Sequence, residues 1–278
     1  MRVGRVSIAV PFDDRWFFSE VIKGATREIE TAGHTPAIHV ISPSPSSTAA
    51  AVGAIEQDFA DSASLGAIVV GFKYPDDQRT RILARQRPLV LIGGSVLEFP
   101  TVMIDDVGAS FAATDHLMQL GHHRIAHFAG DLRDQMDFSV HGRRARGYRL
   151  AMERAGYDPV MVECAFDYDD VYAKATQVLQ STKRPSAVFA VSDEVAYPVM
   201  DAARDLQLEL GKDLSVIGFD DHPLAVEKDL TTMRQRPHEH GAAAASLLLS
   251  GIGDGPNPRR SRLMTTSLVQ RASTGRRR

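Results

Sequence analysis

The sequence predicts an α/β protein with two doubly wound parallel-sheet subdomains that follow one another along the chain. Short β-branched runs alternate with longer amphipathic patterns, which is typical of βαβ units. The strand candidate "GAIVVGF" (66–72) is continuously apolar, as expected where helices cover both faces of a sheet. The alternation starts again at "TVMID" (101–105), and 278 residues are enough for two hydrophobic cores.

The first helix shows the pattern of the first lobe most clearly. The segment "FFSEVIKGATREIETAG" (17–33) carries its apolar residues on one stripe and ends at Gly33. The other elements predicted for this lobe are strands at 5–11, 36–41, 66–72 and 88–92 and helices at 48–61 and 77–86.

The second lobe repeats the order of strand and helix. Ser192 is expected to cap a helix whose first turn carries Asp193 and Glu194, where negative charge is favoured. A helix at 239–250 and a strand at 266–270 fall outside the repeated pattern. The other predicted elements are strands at 101–105, 124–130, 160–166, 186–191 and 214–219 and helices at 108–120, 143–155 and 170–180.

Composition narrows the classes of function. The net charge of -3 gives the whole chain no electrostatic footprint for nucleic acid. With Cys164 as its single cysteine, the chain forms no internal disulfide, which favours a reducing compartment. Asp13 and Asp14 interrupt the apolar run near the N-terminus too early for a signal peptide or membrane span. We therefore expect a cytoplasmic protein without membrane contact.

Polar and aromatic residues collect where the predicted strands end, which is where doubly wound sheets bind ligands. Carboxylates accept hydrogen bonds from sugar hydroxyls, while arginine and lysine donate to them. Aromatic rings stack on the apolar faces of sugars. This mixture predicts a site for a sugar or another polyhydroxylated small molecule. The candidates are Asp13, Trp16, Phe18, Lys73, the arginines Arg143, Arg144 and Arg146, most of which we expect to be solvated, Tyr168, Ser192, Asp193 and Asp220.

The stretch "DLSVIGFDDHPLA" (213–225) leaves other chemistries open, because Asp220, Asp221 and His222 follow a strand directly. If the backbone stays extended, adjacent carboxylates point to opposite sides and cannot flank one glycosidic bond. A hydrolase using these acids remains an alternative. The sequence contains no P-loop, G-x-G-x-x-G, G-x-S-x-G or paired metal-ligand motif, so we predict no cofactor, no metal and no enzyme activity.

Several segments together resemble the lactose-repressor/galactose-repressor (LacI/GalR) family of bacterial transcription regulators. They are "IDDVGASFAATDHLMQLGHHRIAHFAGD", "RRARGYRLAMERAGY", "PSAVFAVSDEVAYPVMDAARD", and "DLSVIGFDDHPLA" followed by "LTTMRQ" and "GAAAASLLLSGI". The resemblance implies a periplasmic-binding-protein-like type I fold with three crossovers between subdomains. The implied subdomains are 1–103 plus 235–264 and 104–234 plus 265–278.

The resemblance also assigns roles to individual residues. Arg144 and Asp220 match effector-binding positions, Gln235 matches a cleft residue at a crossover, and Tyr168 matches a position where many members place a ring-stacking aromatic. The chain departs from the family at Ser192, where members often have asparagine. It departs again at Gly93, where some sugar-binding members have an acid. Both departures bear on which ligand is bound.

The resemblance implies an effector-sensing core that binds a sugar or related metabolite between its lobes, forms a homodimer and acts as a repressor of transcription. Operator DNA would be bound only through a helix-turn-helix headpiece. These 278 residues start at the first strand, so we expect the headpiece to be absent and the chain alone not to bind an operator. A solute-binding receptor of a sugar ABC transporter shares the fold and is the alternative.

Overall fold

The structure is a computed structural model, and it describes residues 3–41, 47–72, 87–93, 99–130, 139–252 and 261–277. The chain forms two compact units. The first comprises Met1–Ile104, Asp134–Val140 and Arg236–Met264, and the second comprises Asp105–Arg133, His141–Gln235 and Thr265–Arg278. The subdomain bounds that the resemblance implies, 1–103 plus 235–264 and 104–234 plus 265–278, stay a prediction.

The first unit contains a parallel sheet of six strands in the order β11-β5-β4-β3-β1-β2. The helix predicted near the end of the chain packs on the first helix of this unit, where a side chain at Gly24 would collide with the His238 carbonyl oxygen. The elements are β1 (Arg5–Val10), α1 (Trp16–Thr31), β2 (Thr35–Val40), α2 (Ser47–Phe59), β3 (Ser64–Val70), β4 (Leu89–Ile92), β5 (Thr101–Ile104), α8 (Pro237–Ser250) and β11 (Arg262–Met264).

The second unit contains a sheet in the order β12-β10-β9-β8-β6-β7, in which only β12 runs antiparallel to its neighbour. The central strands β6, β8 and β9 are buried along their whole length. The elements are α3 (Asp106–Gln119), β6 (Ile125–Ala129), α4 (Ser139–Arg154), β7 (Val160–Glu163), α5 (Tyr168–Gln180), β8 (Ala187–Ala190), α6 (Asp193–Asp205), β9 (Ser215–Asp220), α7 (Leu224–Glu227), β10 (Thr231–Arg234) and β12 (Ser267–Val269).

The predicted α/β class with two largely parallel sheets is confirmed. The sequence patterns missed the short elements α7, β10 and β11, because three or four residues carry too little periodicity to be recognised. Helix α4 begins at Ser139, four residues before the predicted start. The predicted helix at 77–86 and the candidate Lys73 lie outside the described residues. In the described part of the chain, no helix is long and apolar enough to cross a membrane.

Candidate functional site

Four polar residues of the second unit, Asp106, Arg144, Asp220 and Gln235, form what we call the Arg144 cluster. Nε of Arg144 donates to Oδ1 of Asp106 at 3.0 Å, and its Nη1 lies 3.7 Å from Oδ1 of Asp220. Nε2 of Gln235 donates to the same Asp220 oxygen at 2.6 Å. All four side chains are buried. The structure therefore brings Arg144 and Asp220, the two matches to effector-binding positions, together with the crossover residue Gln235, and it adds Asp106.

The cluster lies at the carboxyl ends of the central strands. Asp220 is the last residue of β9, and Gln235 follows β10. Arg144 reaches this edge from α4, where Nη1 donates to the carbonyl oxygen of Val191, just beyond β8, at 2.6 Å. Its guanidinium carbon lies 3.6 Å from the ring centroid of Phe219. The planar guanidinium is therefore fixed by stacking and by hydrogen bonds, an arrangement that lysine does not reproduce.

Hydrogen-bonding capacity remains in this cluster. Asp220 has Oδ1 engaged by Gln235 and Arg144. Within the described residues, neither Oδ2 of Asp220 nor Nη2 of Arg144 takes part in a hydrogen bond. One oxygen acceptor of Asp220 and one nitrogen donor of Arg144 thus remain in two side chains whose nearest ionic atoms are 3.7 Å apart. A hydroxyl group both donates and accepts, so it can satisfy both atoms.

Burial controls the electrostatics of the cluster. It raises the pKa of Asp220 to about 7, although the Arg144 charge and the Gln235 hydrogen bond act in the opposite direction. Burial also raises the pKa of Asp106 above its ordinary value, against the nearby Arg144. One guanidinium faces two buried carboxylates, so the cluster does not carry an excess of positive charge.

The backbone at Asp220 and Asp221 is not extended, contrary to the expectation from the sequence. The φ angles are 119° at Asp220 and 60° at Asp221. Positive φ is costly for residues with a side chain, and such strain concentrates at functional sites. The two carboxylates nevertheless have separate sets of partners. No bond is shared between them among the described hydrogen bonds and ion pairs.

Asp221 belongs to a second group, the Asp221 clamp, formed with Arg234 and Arg271. Nε of Arg234 donates to Oδ2 of Asp221 and Nη2 of Arg271 donates to Oδ1, both at 2.6 Å. Arg271 also donates through Nη1 to the Leu230 carbonyl oxygen at 2.6 Å. The clamp ties the segment after β12 to the turn after β9. Both carboxylate oxygens of Asp221 are engaged, so it does not act with Asp220 as a catalytic pair.

Ser192 and Asp193 make structural hydrogen bonds next to the Arg144 cluster. Ser192 caps α6 by accepting a hydrogen bond from the Val195 amide at 3.3 Å, as predicted. Asp193 has 0% exposure and accepts from Oγ1 of Thr232 at 2.7 Å and from the His222 amide at 2.8 Å. Burial raises the pKa of Asp193 well above its ordinary value. These contacts favour a role in holding the turn after Asp220 over the predicted direct contact with a ligand.

Tyr168 makes its contacts away from the Arg144 cluster. Its side chain is 52% exposed, its hydroxyl donates to Oδ2 of Asp201 at 3.1 Å, and its ring stacks on Tyr172 at 6.1 Å between centroids. Within the described residues, no hydrogen bond or ring contact joins it to Arg144, Asp220 or Gln235. Ring stacking on a ligand by Tyr168 stays a prediction.

The candidates after β1 lie in the first unit, where aromatic rings pack closely. Asp13 is exposed and Trp16 is the first residue of α1. Phe18 contacts Phe12 at 5.5 Å and Phe17 at 5.3 Å between ring centroids. The Phe18 ring therefore already packs against two other rings of the first unit.

Sequence reasoning missed two members of the site. Asp106 had a signal, because it is the second acid of "IDD" directly after a strand. Phe219 had none, because its role depends on a guanidinium 75 positions earlier in the chain. Among the described residues, no group of three or more His, Cys, Asp or Glu side chains is arranged to hold a metal ion.

Comparison with known proteins adds evidence of ancestry. A family model for a periplasmic binding protein-like domain matches residues 114–274. The HTH-type transcriptional repressor CytR of Escherichia coli is 31% identical over 269 residues, covering 93% of this chain and 75% of that protein. Catabolite control protein A of Priestia megaterium is 33% identical over 168 residues, covering 58% of this chain and 50% of that protein. This chain therefore matches only half of the latter protein's length.

Solved structures share the fold across almost the whole chain. A LacI family transcriptional regulator from Enterococcus faecium with bound ribose has a TM-score of 0.84 and 20% identity, and covers 98% of this chain and 99% of its own. The transcriptional regulator CelR in complex with cellobiose has a TM-score of 0.83 and 24% identity. The match covers 98% of this chain and 85% of the CelR chain. At these identities, the likeness concerns the fold alone.

Proposed function

The chain belongs to the LacI/GalR family of transcriptional regulators, and from this premise we propose that it binds an uncharged, polyhydroxylated effector through the Arg144 cluster. Its relatives are regulators of transcription, not enzymes. The observation that carries the proposal is the unused hydrogen-bonding capacity of two side chains in one cluster. Asp220 Oδ2 and Arg144 Nη2 take part in no hydrogen bond with the described residues, while Arg144 Nη1 lies 3.7 Å from Asp220 Oδ1.

The charge of the cluster favours a neutral ligand over a sugar phosphate. Arg144 already faces Asp106 at 3.0 Å and Asp220 at 3.7 Å, and Asp193 lies close enough to Asp220 for the two charges to interact. An added phosphate would lie beside the two acids Asp106 and Asp220 and one guanidinium in a buried setting, where unbalanced charge is costly. Hydroxyl groups add no charge and still satisfy both atoms.

The bound molecules of two structural neighbours agree with a sugar as ligand, because one holds ribose and the other cellobiose. In this proposal, Arg144, Asp220 and Gln235 contact hydroxyl groups, and Ser192 and Asp193 hold the turn that presents Asp220. The residues Asp13, Trp16, Phe18, Lys73 and Tyr168 stay predicted ligand contacts.

The remaining parts of the proposal concern the whole protein. The two compact units correspond to the two subdomains of the family fold. The chain works as a homodimer in the cytoplasm, where the effector changes the affinity of a helix-turn-helix headpiece for operator DNA. An effector does this only by binding one arrangement of the protein better than another.

Calorimetric titration with ribose, glucose, cellobiose and adenosine tests ligand binding. Arg144→Lys and Asp220→Asn should each lower the affinity for the best ligand by about tenfold or more, because a buried polar group is left unpaired. Arg146→Lys is the matched control, since Arg146 is exposed on the same helix. Unchanged affinity in both cluster variants would rule out this assignment.

The coding sequence upstream of Val3 tests the regulatory part separately. A helix-turn-helix segment there supports a transcription regulator. A signal peptide without such a segment would instead identify a solute-binding receptor and overturn this part of the proposal.

A further inference from the structure

The turn after β9 contains two backbone amides whose acceptors lie on other elements of the second unit. The Asp221 amide donates to Oγ1 of Thr232 at 3.2 Å, and the His222 amide donates to Oδ2 of Asp193 at 2.8 Å. The two acceptors are themselves joined, because Oγ1 of Thr232 donates to Oδ1 of Asp193 at 2.7 Å. We call these two side chains the Thr232–Asp193 pair. The pair binds two consecutive amides of the turn through one connected set of hydrogen bonds.

The Thr232 hydroxyl links the two halves of this set. A hydroxyl group has a single hydrogen and can also accept, whereas a backbone amide can only donate. Thr232 therefore accepts from Asp221 and donates its own hydrogen to Asp193. Both side chains of the pair are 0% exposed, so solvent has little access to replace either bond. A side chain without a hydroxyl at position 232 would leave the Asp221 amide and one Asp193 oxygen without these partners.

The turn needs such support because its backbone conformation is unfavourable. Asp220 and Asp221 have φ angles of 119° and 60°, which are costly for residues with a side chain. Conformations of this kind persist only where the surrounding structure holds them. Asp220 also carries the oxygen Oδ2, which takes part in no described hydrogen bond. The direction of that carboxylate therefore depends on the same turn that the Thr232–Asp193 pair holds.

Gly218 in β9 makes room for the pair. In the pairing of β9 with β10, Gly218 is the partner of Thr232. A Cβ atom at Gly218 would collide with Oδ1 of Asp193 and would lie 3.2 Å from its Cγ. The buried carboxylate therefore fills the space that a side chain at position 218 would need. The φ angle of Gly218 is not in the left-handed region, so the glycine serves this close approach and not a turn.

We propose that Thr232 is a positioning residue for effector recognition, which acts on Asp220 through the backbone of the next two residues. This inference rests on the proposed function, because the Arg144 cluster must bind the effector. Within the described residues, the Thr232 side chain forms no hydrogen bond with any member of that cluster. Its effect on the ligand is therefore indirect. The Asp220 carboxylate contacts the ligand hydroxyl, and Thr232 keeps the turn in the conformation that presents this carboxylate.

Calorimetric titration of the full chain tests this role with whichever of ribose, glucose, cellobiose and adenosine binds best. Thr232→Val keeps the shape of the side chain and removes the hydroxyl, so the affinity should fall about tenfold or more. Thr232→Ser restores the hydroxyl and should bind within about twofold of the wild-type protein. If Thr232→Val does not fold, Thr232→Ala removes the same hydroxyl with less apolar bulk and takes its place.

Thr231→Val is the matched control, because neighbouring residues of a strand point to opposite faces. Thr231 is also 0% exposed, but its Oγ1 donates to the Arg271 carbonyl at 3.0 Å and accepts from the Arg271 amide at 2.9 Å. Thr231→Val should lose about as much stability in urea unfolding as Thr232→Val and keep its affinity within about twofold. If Thr232 only stabilised the fold, the two variants would also be alike in affinity.

Amide hydrogen exchange followed by NMR examines the turn directly. Thr232→Val should raise the exchange rates of the Asp221 and His222 amides about tenfold or more, because local opening of the turn becomes easier. Thr231→Val should leave both rates within about twofold. Unchanged exchange at both amides in Thr232→Val would refute the hydrogen bonds on which the positioning role depends.

The possible failures are distinct. If the wild-type protein binds a ligand and Arg144→Lys weakens it, but Thr232→Val does not, the positioning role is wrong and the proposed function stands. Equal losses of affinity in Thr232→Val and Thr231→Val would also refute the positioning role. If none of the four ligands binds, the proposed function and this inference both fail.

Discussion

The Arg144 cluster and the Asp221 clamp each contain one of two adjacent aspartates, Asp220 and Asp221. The two carboxylates differ in how closely positive charge approaches them. Asp221 receives a guanidinium at 2.6 Å on each of its oxygens. Asp220 has one amide at 2.6 Å, a guanidinium only at 3.7 Å and no described donor on Oδ2. Burial raises the pKa of Asp220 to about 7.

The difference separates a structural carboxylate from one that is available to a ligand. Two charged hydrogen bonds offset the cost of partly burying Asp221, so this residue holds the turn in place. Asp220 is buried with incomplete compensation, which costs stability and leaves an acceptor available. The positive φ of 119° at Asp220 is a second unfavourable contribution at the same residue.

The largest effect is expected from Arg144→Ala. This change leaves Asp106, which is 3% exposed, without its cationic partner. Removing one member of a buried ion pair typically costs about 3–5 kcal/mol of unfolding free energy. Urea unfolding at neutral pH measures the loss. Arg146→Ala is the control and should change stability by about 0.5 kcal/mol or less. A loss below about 1 kcal/mol in Arg144→Ala would mean that Asp106 does not depend on this arginine.

Asp220→Asn and Asp221→Asn should change stability in opposite directions at pH 8. A carboxyl group with a raised pKa stabilises the fold while protonated, and that stability is lost as pH rises through about 7. Asparagine imitates the protonated form, so Asp220→Asn should gain up to about 4 kcal/mol, from a pKa raised from 3.8 to about 7 at about 1.4 kcal/mol per unit. Asp221→Asn should lose about 2 kcal/mol, because both hydrogen bonds lose a charge.

Unfolding in urea at pH 8 and at pH 5 decides this comparison. The gain in Asp220→Asn should shrink at the lower pH, where the folded wild-type carboxyl is already protonated. Changes of the same sign in the two variants at pH 8 would refute the distinction between the two regions.

Arg271→Ala tests the clamp from the other side. It removes one charged hydrogen bond to Asp221 and one to the Leu230 carbonyl, while Arg234 remains. We expect a loss of about 2 kcal/mol in urea unfolding. Ligand affinity should stay within about twofold, since Arg271 has no described contact with the Arg144 cluster. Arg276→Ala, at an exposed position, is the control. A loss of affinity without a loss of stability would show that the clamp acts on the ligand.

The smallest effect concerns the pH dependence of affinity. If a ligand hydroxyl donates to ionised Asp220, affinity should rise with pH across a pKa of about 7. The ionised fraction grows from roughly 0.1 at pH 6 to roughly 0.9 at pH 8, so the gain is about tenfold, or about 1.4 kcal/mol. Calorimetry at both pH values measures it. Asp220→Asn should abolish the dependence, and a tenfold rise that survives in this variant would exclude Asp220 as its source.

Local patterns predicted most of the fold. The stripe in α1, the continuous apolar run of β3 and the cap at Ser192 are all found in the structure. The sequence patterns did not predict the short strands β10 and β11, because three or four residues show too little periodicity of apolar side chains. The β10 strand matters for the Arg144 cluster, since Gln235 follows it and donates to Asp220. The β10 strand is defined by its parallel pairing with β9, which links residues distant in sequence.

The sequence by itself determined the alternation of strands and helices, because the periodicity of apolar residues reflects interactions between near neighbours in the chain. Together with the resemblance, it also identified Arg144, Asp220 and Gln235. Only the tertiary structure decided their partners. Asp106 is 38 residues from Arg144 in sequence, and Arg271 is 50 from Asp221. The order of the strands brings such residues together, and this order determines which of two adjacent carboxylates is neutralised and which remains available.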